Sequence, residues 1–129
     1  MGFLKRFEGT FFGVLRIVAG FTFACHGAQK LFGVLGGHVM TDPLMITAGV
    51  IEFGGGVLIA LGLFASYAAF IASGEMATAY FKVHIHGGFW PILNHGELPV
   101  LYCFLWLYLA AHGPGSFSLD RVFRRRAAG

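Results

Sequence analysis

Residues 44–81 read LMITAGVIEFGGGVLIALGLFASYAAFIASGEMATAYF, an apolar stretch in which Glu52 and Glu75 are the only charged side chains. At 1.5 Å per residue, a single helix of this length would span about 57 Å, nearly twice the roughly 30 Å hydrocarbon core of a bilayer. The stretch is therefore too long for one membrane crossing. We expect two helices that fold back on each other, with the turn between residues 62 and 67.

Outward from this hairpin, one further apolar segment lies on each side. The chain has 129 residues, of which 57% are hydrophobic and 12% charged, and its mean hydropathy is +0.73. These values are typical of an integral membrane protein and exclude an ordinary soluble domain. The sequence predicts an all-α fold: one domain, residues 1–129, forming an antiparallel four-helix membrane bundle with helices at about 10–33, 44–64, 66–86 and 98–112.

The charges outside the predicted helices indicate the orientation. The loops at 33–43 and 87–97 contain neither lysine nor arginine, whereas the two chain ends carry Lys5, Arg6, Arg121, Arg124, Arg125 and Arg126. The positive-inside rule then predicts a multi-pass protein of the cell inner membrane with both termini in the cytoplasm. The basic tail is expected to contact anionic lipid headgroups, which explains its charge without a nucleic acid partner.

The N-terminal segment resembles a signal peptide in having basic residues before an apolar run. The run is, however, about 22 residues long, contains Arg16 and His26, and lacks a clear cleavage site. We expect it to be retained as the first helix.

Ionisable side chains inside the predicted helices are candidates for function, because an unpaired charge in hydrocarbon costs roughly 3 kcal/mol. Counting from the helix ends places most of them in the outer, non-cytoplasmic half of the bundle. We predict a polar ligand-binding cavity there, formed by His26, Lys30, Glu52, Lys82, His86 and Glu97. Glu52 is expected to contact His26 or Lys82. Arg16 and Glu75 are interpreted as structural charges, and no catalytic residue is predicted.

Histidines and cysteines give weak signals for metal or redox chemistry. His84 and His86 point to different faces of a helix, so a metal site is not predicted, and bis-histidine haem is equally disfavoured. Cys25 and Cys103 lie at similar predicted depth, but without a Cys-x-x-Cys motif they read as buried packing residues. The cofactor stays unknown at this point.

Five blocks of sequence resemble the DoxX family of small four-helix membrane proteins, and together they run from about residue 16 to residue 120. They are His26-Gly-Ala-Gln-Lys-Leu-Phe-Gly33, Glu52-Phe-Gly-Gly-Gly-Val-Leu-Ile-Ala-Leu-Gly62, Gly88-Phe-Trp-Pro-Ile-Leu-Asn-His-Gly-Glu97, Leu101-Tyr102 and Gly113-Pro-Gly-Ser-Phe-Ser-Leu-Asp120. His95 departs from the commoner Asn-Gly-Gly-Glu pattern, so we do not predict it as a shared catalytic residue.

The resemblance implies association with membrane redox chemistry. The family takes its name from a component linked to thiosulfate:quinone oxidoreductase, and other members are linked to thiol-stress complexes. We therefore expect a subunit of a membrane oxidoreductase complex rather than an enzyme acting alone, with other membrane subunits as partners and a quinone or small thiol as ligand. A purely structural subunit and a small proton or solute transporter are the alternatives, although the transporter reading lacks an inverted repeat.

Overall fold

The computed structural model describes residues 1–129 and is entirely helical, with no strand. Its elements are α1 (Gly2–Lys5), α2 (Glu8–Phe32), α3 (Pro43–Val50), a π-helical turn (Ile51–Gly55), α4 (Gly56–Leu61), α5 (Ala65–Lys82), a 3₁₀ turn (His84–Gly87), α6 (Pro91–Asn94), α7 (Glu97–His112) and α8 (Leu119–Ala127). The predicted all-α class is thus confirmed. Helices α3 and α4 continue into each other through the π-helical turn, so residues 43–61 form one rod.

The chain folds back sharply between α4 and α5. Gly62 takes a left-handed conformation with φ of 68°, and Phe64 follows with φ of 49°. The turn is therefore complete before Ala65, and the predicted turn residues Ser66 and Tyr67 instead lie inside α5. The glycine is required at its position because a Cβ atom there would meet the Cβ of Ser118 at 2.4 Å.

Helix α5 ends at Lys82, four residues before the predicted end at residue 86. The chain tightens there into the 3₁₀ turn, and Gly88 then takes φ of 113°, a conformation that side chains with a Cβ rarely adopt. His84 and His86 consequently lie in an irregular segment and not on the last turn of a helix.

The helices pack in two pairs around a shared core. Helix α2 packs against the α3–α4 rod, and α5 packs against α7. In the first pair the two backbones approach closely: a Cβ atom on Gly20 would lie 2.7 Å from the nitrogen of Ala60, and one on Gly27 would lie 2.2 Å from that of Phe53. Small residues allow this contact, which is common between membrane helices. The shared core between the pairs includes Phe23, Ile59, Ala69, Trp106 and Leu109.

The outer surface of the helices is strongly apolar. Side chains such as Phe21, Phe70 and Phe104 are each about two-thirds exposed. Contiguous apolar surface of this kind marks a membrane or protein contact, because soluble monomers rarely expose it. Two helices, Glu8–Phe32 and Pro43–Leu61, are long and apolar enough to cross a membrane, and Glu97–His112 is a shorter apolar helix.

The C-terminal segment is bound to the turn between α4 and α5. The carboxylate of Asp120 accepts hydrogen bonds from the backbone nitrogens of Phe64 and Ala65 at 2.9 and 3.0 Å. The nitrogen of Asp120 in turn donates to the oxygen of Gly62 at 2.9 Å. These bonds satisfy free amides at the start of α5 and hold α8 against the helices.

Arg16 ties α2 to the same region. Its side chain is 1% exposed, and its guanidinium group donates to five backbone carbonyl oxygens, those of Ile59, Ala60, Pro114, Ser116 and Phe117. The first two belong to the last turn of α4, where carbonyls lack helical partners. No carboxylate lies within 4 Å of Arg16, so its charge is balanced by carbonyl dipoles and not by an ion pair.

Candidate functional site

The site is built around a buried carboxylate. Glu52 is 2% exposed and lies in the π-helical turn. Its Oε1 atom accepts a hydrogen bond from Nζ of Lys30 at 2.5 Å, which is the only ion pair in the structure. Its Oε2 atom is buried and has no hydrogen-bond partner. π-helical turns are frequent at functional sites, because the extra residue redirects the side chains around it.

The pair lies on the wall of a cavity of about 260 Å³, which we call the central cavity. Its wall is formed by α2, α5, α7, the π-helical turn and the loop between α5 and α7 (residues 83–96). The lining residues are Phe23, His26, Lys30, Glu52, Met76, Ala79, His84, His95, Leu98, Pro99 and Tyr102. A few polar groups in a mainly apolar and aromatic enclosure are the usual composition of a small-molecule site.

An aromatic cluster borders the central cavity. The ring of Tyr102 stacks on Trp106 at 5.3 Å with an interplanar angle of 16°, and Phe23 contacts both rings. The Tyr102 hydroxyl lies 2.7 Å from Oγ1 of Thr22, whose own proton is directed to the backbone of its helix. Tyr102 therefore donates to Thr22, and its orientation is defined.

The loop between α5 and α7 (residues 83–96) borders the central cavity and is organised by Asn94. The side chain of Asn94 is buried, donates to the oxygen of Gly88 at 2.7 Å and accepts from the nitrogen of Gly96 at 2.8 Å. Its backbone oxygen lies 3.2 Å from Nδ1 of His84. The hydroxyl of Tyr80 donates to the oxygen of Phe89 in the same loop. These bonds hold the loop, and with it His84 and His95, over the cavity.

A second, larger space of about 430 Å³ opens beside the central cavity between α3 and α5, and we call it the lateral groove. Lys30 and His84 line both spaces, so the groove and the cavity adjoin. Its apolar wall includes Leu44, Ile51 and Ile71, and its polar residues are Lys30, Thr47, Glu75, Thr78, Lys82 and His84. Glu75 also has a buried Oε2 atom without a partner.

Metal-binding geometry is absent: no group of three His, Cys, Asp or Glu side chains is placed to hold an ion. Cys25 and Cys103 are both free thiols. The sulfur of Cys103 lies 3.6 Å from the hydroxyl of Ser73, which donates to the Cys103 carbonyl at 2.8 Å. That contact joins α5 to α7.

Comparison with known proteins shows the family of the chain. The sequence model of the family described as DoxX matches residues 11–85. A protein of Haemophilus influenzae, described as an uncharacterized protein, is 42% identical over 134 aligned positions that cover 98% of this chain and 100% of the relative. The chain belongs to the DoxX family. No solved structure matches it.

The DoxX match covers one part of the site. It includes Lys30 and Glu52, on α2 and the π-helical turn, and reaches to residue 85, just beyond His84. Tyr102 and His95, which complete the central cavity, lie outside it. The DoxX-family protein therefore draws its candidate site from both the matched region and the C-terminal part of the chain.

The structure brings together half of the predicted cavity residues. His26, Lys30 and Glu52 line the central cavity, as the sequence analysis predicts. Lys82 is exposed and lines the lateral groove. The other two predicted residues, His86 and Glu97, are exposed and line neither space.

The direct ion-pair partner of Glu52 is not one of the residues that the sequence analysis expected beside it. Lys30 forms the ion pair, and neither His26 nor Lys82 does. The depth count alone favoured His26 and Lys82, but Lys30 lies one turn after Gly27, where α2 contacts the rod most closely. Lys82 lies at the end of α5, whose packing partner is α7, and its side chain is directed to the groove.

Three residues with polar side chains in the wall of the central cavity were not among the predicted site residues. Tyr102 was visible in the sequence as a polar aromatic in an apolar helix and in the Leu101-Tyr102 block. His84 belongs to the His84-x-His86 pair, which the sequence analysis considered only as a possible metal or haem ligand. His95 was set aside because it departs from the family pattern, yet the positive φ of 59° at this residue places it over the cavity.

Proposed function

We propose that the central cavity binds the ring of a quinone, and that the protein serves as a subunit of a membrane redox complex that uses this quinone. The observation that carries the proposal is the junction of two unlike spaces at Lys30. One holds a buried ion pair with a free carboxylate oxygen, and the other is a mainly apolar groove. A quinone has the same two parts, a ring with hydrogen-bonding oxygens and an apolar tail.

The polar groups suit a ring oxygen of the quinone in both its oxidised and its reduced form. Lys30 carries hydrogen atoms that remain free to donate to a ring oxygen of the oxidised quinone. The Oε2 atom of Glu52 lacks a donor in the structure, and a hydroxyl of the reduced quinol supplies one. Phe23 and Tyr102 offer aromatic surface to the ring. A volume of about 260 Å³ is close to the lower end, roughly 300 Å³, of small-molecule sites, which fits a single ring.

Glu52 is also placed to exchange a proton with the ring. Conversion of a quinone to a quinol takes up two electrons and two protons. In this proposal both electrons come from a redox group on a partner oxidoreductase subunit. Glu52 passes one proton to a ring oxygen, and the second proton comes from solvent water. The DoxX-family protein contributes the binding site and the proton-exchanging carboxylate, and it does not carry the electrons.

The topology proposed for this role is a single domain, residues 1–129, that crosses the inner membrane four times as an antiparallel bundle with both termini in the cytoplasm. The crossing segments are α2, the rod of residues 43–61, α5 and α7. Support comes from the apolar outer surface of these helices and from the basic residues, which lie at the chain ends and are missing from the loops at 33–43 and 87–97. The central cavity then lies in the outer half of the bundle.

Quinone binding is tested directly with the purified protein in lipid nanodiscs. A short-chain quinone should quench the fluorescence of Trp106, which stacks on Tyr102 at the cavity wall. Trp90 is exposed and is replaced by Phe, so that Trp106 is the one reporting tryptophan. We expect saturable quenching that weakens about tenfold or more in Glu52→Gln, because hydrogen bonds to charged groups contribute about 1.5–3 kcal/mol.

Glu97→Gln is the matched control. It makes the same chemical change at an exposed residue that does not line the cavity, so its quinone affinity should stay unchanged. Quenching that is linear and equal in all variants would mean simple partitioning into lipid and would contradict the proposal. Displacement of the quinone by a small thiol, but not by other quinones, would instead favour a thiol ligand. If neither the parent protein nor any variant binds quinone, the result would favour a purely structural subunit.

A further inference from the structure

The largest cavity lies far from the site, at the end of the molecule where the two chain ends meet. It has a volume of about 900 Å³ and is enclosed by α1, the first turns of α2, the end of α7, the segment after it and α8. We call it the terminal cavity. Neither the quinone proposal nor the contacts that stabilise the helices use it.

The lining of the terminal cavity is strongly basic. Lys5, Arg121 and Arg124 contribute three cationic side chains, and Glu8 contributes the single carboxylate. None of these groups forms an ion pair in the structure. Three cations and one carboxylate line the same concavity, so its net charge is positive and an anionic ligand would be attracted to it.

Part of the wall is apolar and aromatic. Phe12 and Tyr108 both line the cavity. The imidazole of His112 also lines it and packs against Phe12, with ring centroids 4.1 Å apart and the rings tilted by 41°. A ligand that combines a negative group with an apolar chain would therefore find both of its parts matched.

Helix α8, one wall of the cavity, has a defined position. Asp120 bonds to the amides of Phe64 and Ala65, and Ser118 caps the helix by accepting from the nitrogen of Arg121 at 3.4 Å. Arg16 holds the carbonyls of the segment before it. The arginines of α8 are therefore presented from a fixed wall and not from a loose tail.

The amphipathic character of α8 places the cavity at the membrane surface. Leu119, Val122 and Phe123 are exposed apolar residues on one side of this helix, while three of its arginines, Arg121, Arg124 and Arg125, lie on the opposite side. A short helix of this pattern lies in the plane of the interface, with the apolar side toward the acyl chains and the basic side among the headgroups. Lipid phosphates are the anions found at that depth.

We propose that the terminal cavity binds the phosphate headgroup of an anionic phospholipid, with Lys5, Arg121 and Arg124 as its cationic groups and with Phe12 and Tyr108 against the start of an acyl chain. Basic pockets beside membrane helices bind acidic lipid headgroups in this way. This site makes the protein selective for anionic lipid. Lipid binding there does not require a ligand in the central cavity.

The test uses the full chain, purified in detergent and titrated with phosphatidylglycerol or phosphatidylcholine, with bound lipid counted by native mass spectrometry. We expect one tightly retained phosphatidylglycerol and no comparable phosphatidylcholine. In Arg121→Gln/Arg124→Gln, affinity should fall about thirtyfold, because each basic side chain near an anionic lipid contributes roughly a factor of five.

Arg125→Gln/Arg126→Gln is the matched control. It removes the same charge from the same helix at residues that do not line the terminal cavity, and affinity should change by less than about threefold. Equal losses in the two double variants would overturn the proposal in favour of diffuse attraction to the tail. Equal binding of both lipids would also overturn it. Binding of glycerol phosphate as tight as that of the lipid would identify a soluble organic phosphate as the ligand instead.

Discussion

The ammonium group of Lys30 lies 2.5 Å from Oε1 of Glu52, directly beside the point where the backbones of α2 and the residue 43–61 rod come into contact at Gly27 and Phe53. The two features depend on each other. Only a glycine at position 27 allows the helices to approach closely enough for a lysine one turn further along to reach a carboxylate in the π-helical turn.

The ion pair should show strong coupling between its two members. Lys30→Met leaves the buried Glu52 carboxylate without its partner, and we expect a loss of roughly 3–5 kcal/mol in stability. Glu52→Gln leaves only Lys30, whose side chain is 21% exposed, and should cost less. The double variant leaves no charge and should lose much less than the sum. Thermal unfolding in detergent, followed by circular dichroism, measures all three. Additive losses would show that the two residues act independently. Lys82→Gln, at an exposed residue, serves as the control.

The glycine contact predicts a sharp difference between two alanine variants. In Gly27→Ala the new Cβ atom would lie 2.2 Å from the nitrogen of Phe53, so the helices must separate, at a cost of about 1–3 kcal/mol or more. In Gly55→Ala the new Cβ atom meets nothing within 4 Å, and helix propensity alone should make this variant neutral or more stable. Unfolding midpoints compare the two. Equal destabilisation would contradict the close approach.

Arg16 should not tolerate replacement by lysine. A lysine keeps the charge but cannot donate from a planar fork to carbonyls on two segments, so several carbonyl oxygens lose their partner. With a penalty of about 1–3 kcal/mol for each unsatisfied group, Arg16→Lys should destabilise the fold by several kcal/mol. Resistance to thermal unfolding is the measurement, and Arg125→Lys, an exposed residue of α8, is the control. A stable Arg16→Lys protein would show that the carbonyl contacts contribute little.

Asp120 should stabilise the start of α5 locally. Asp120→Ala removes the acceptor for the amides of Phe64 and Ala65, and loss of such a cap typically costs about 1 kcal/mol. Hydrogen exchange at these two amides should accelerate by about a factor of five, in line with that energy. Amides in the middle of α7 are the internal reference. Unchanged exchange at Phe64 and Ala65 would mean that other contacts hold this turn.

The proposed topology is tested by cysteine labelling in intact cells. With Cys25 and Cys103 replaced by alanine, a cysteine at His38 should react with a membrane-impermeant reagent added from outside, and one at Ala128 should react only after permeabilisation. Position 38 is exposed in the loop without lysine or arginine, and position 128 follows the basic α8. Labelling of both from the same side would contradict the four crossings.

The helical class and the hairpin were predictable because they depend on quantities that a sequence carries directly. In lipid every backbone group must be bonded within its own segment, so a long apolar chain becomes helical, and its length decides how many segments it forms. For the same reason a charge inside such a segment indicates a buried polar site, and Glu52 was identified in this way.

Gly55 and Gly56 both follow Glu52 closely in the sequence, but their surroundings in the structure differ. Gly56 contacts α2, where a Cβ atom would lie 2.5 Å from the nitrogen of Ala24, whereas Gly55 faces open space. A phase count at 100° per residue cannot anticipate this difference, because the π-helical turn at residues 51–55 places one extra residue in the helix and rotates the side chains around it.

What the sequence determined by itself was the class of protein, its helical segments and the presence of buried charge, since these follow from apolar length and composition. What only the tertiary structure decided was which groups meet: Lys30 with Glu52, Arg16 with the carbonyls after α7, and Tyr102 with the cavity. Such contacts depend on how α2, α5 and α7 are rotated and paired, and that is settled by packing of small residues far apart in the chain. Local periodicity contains no information on such pairing.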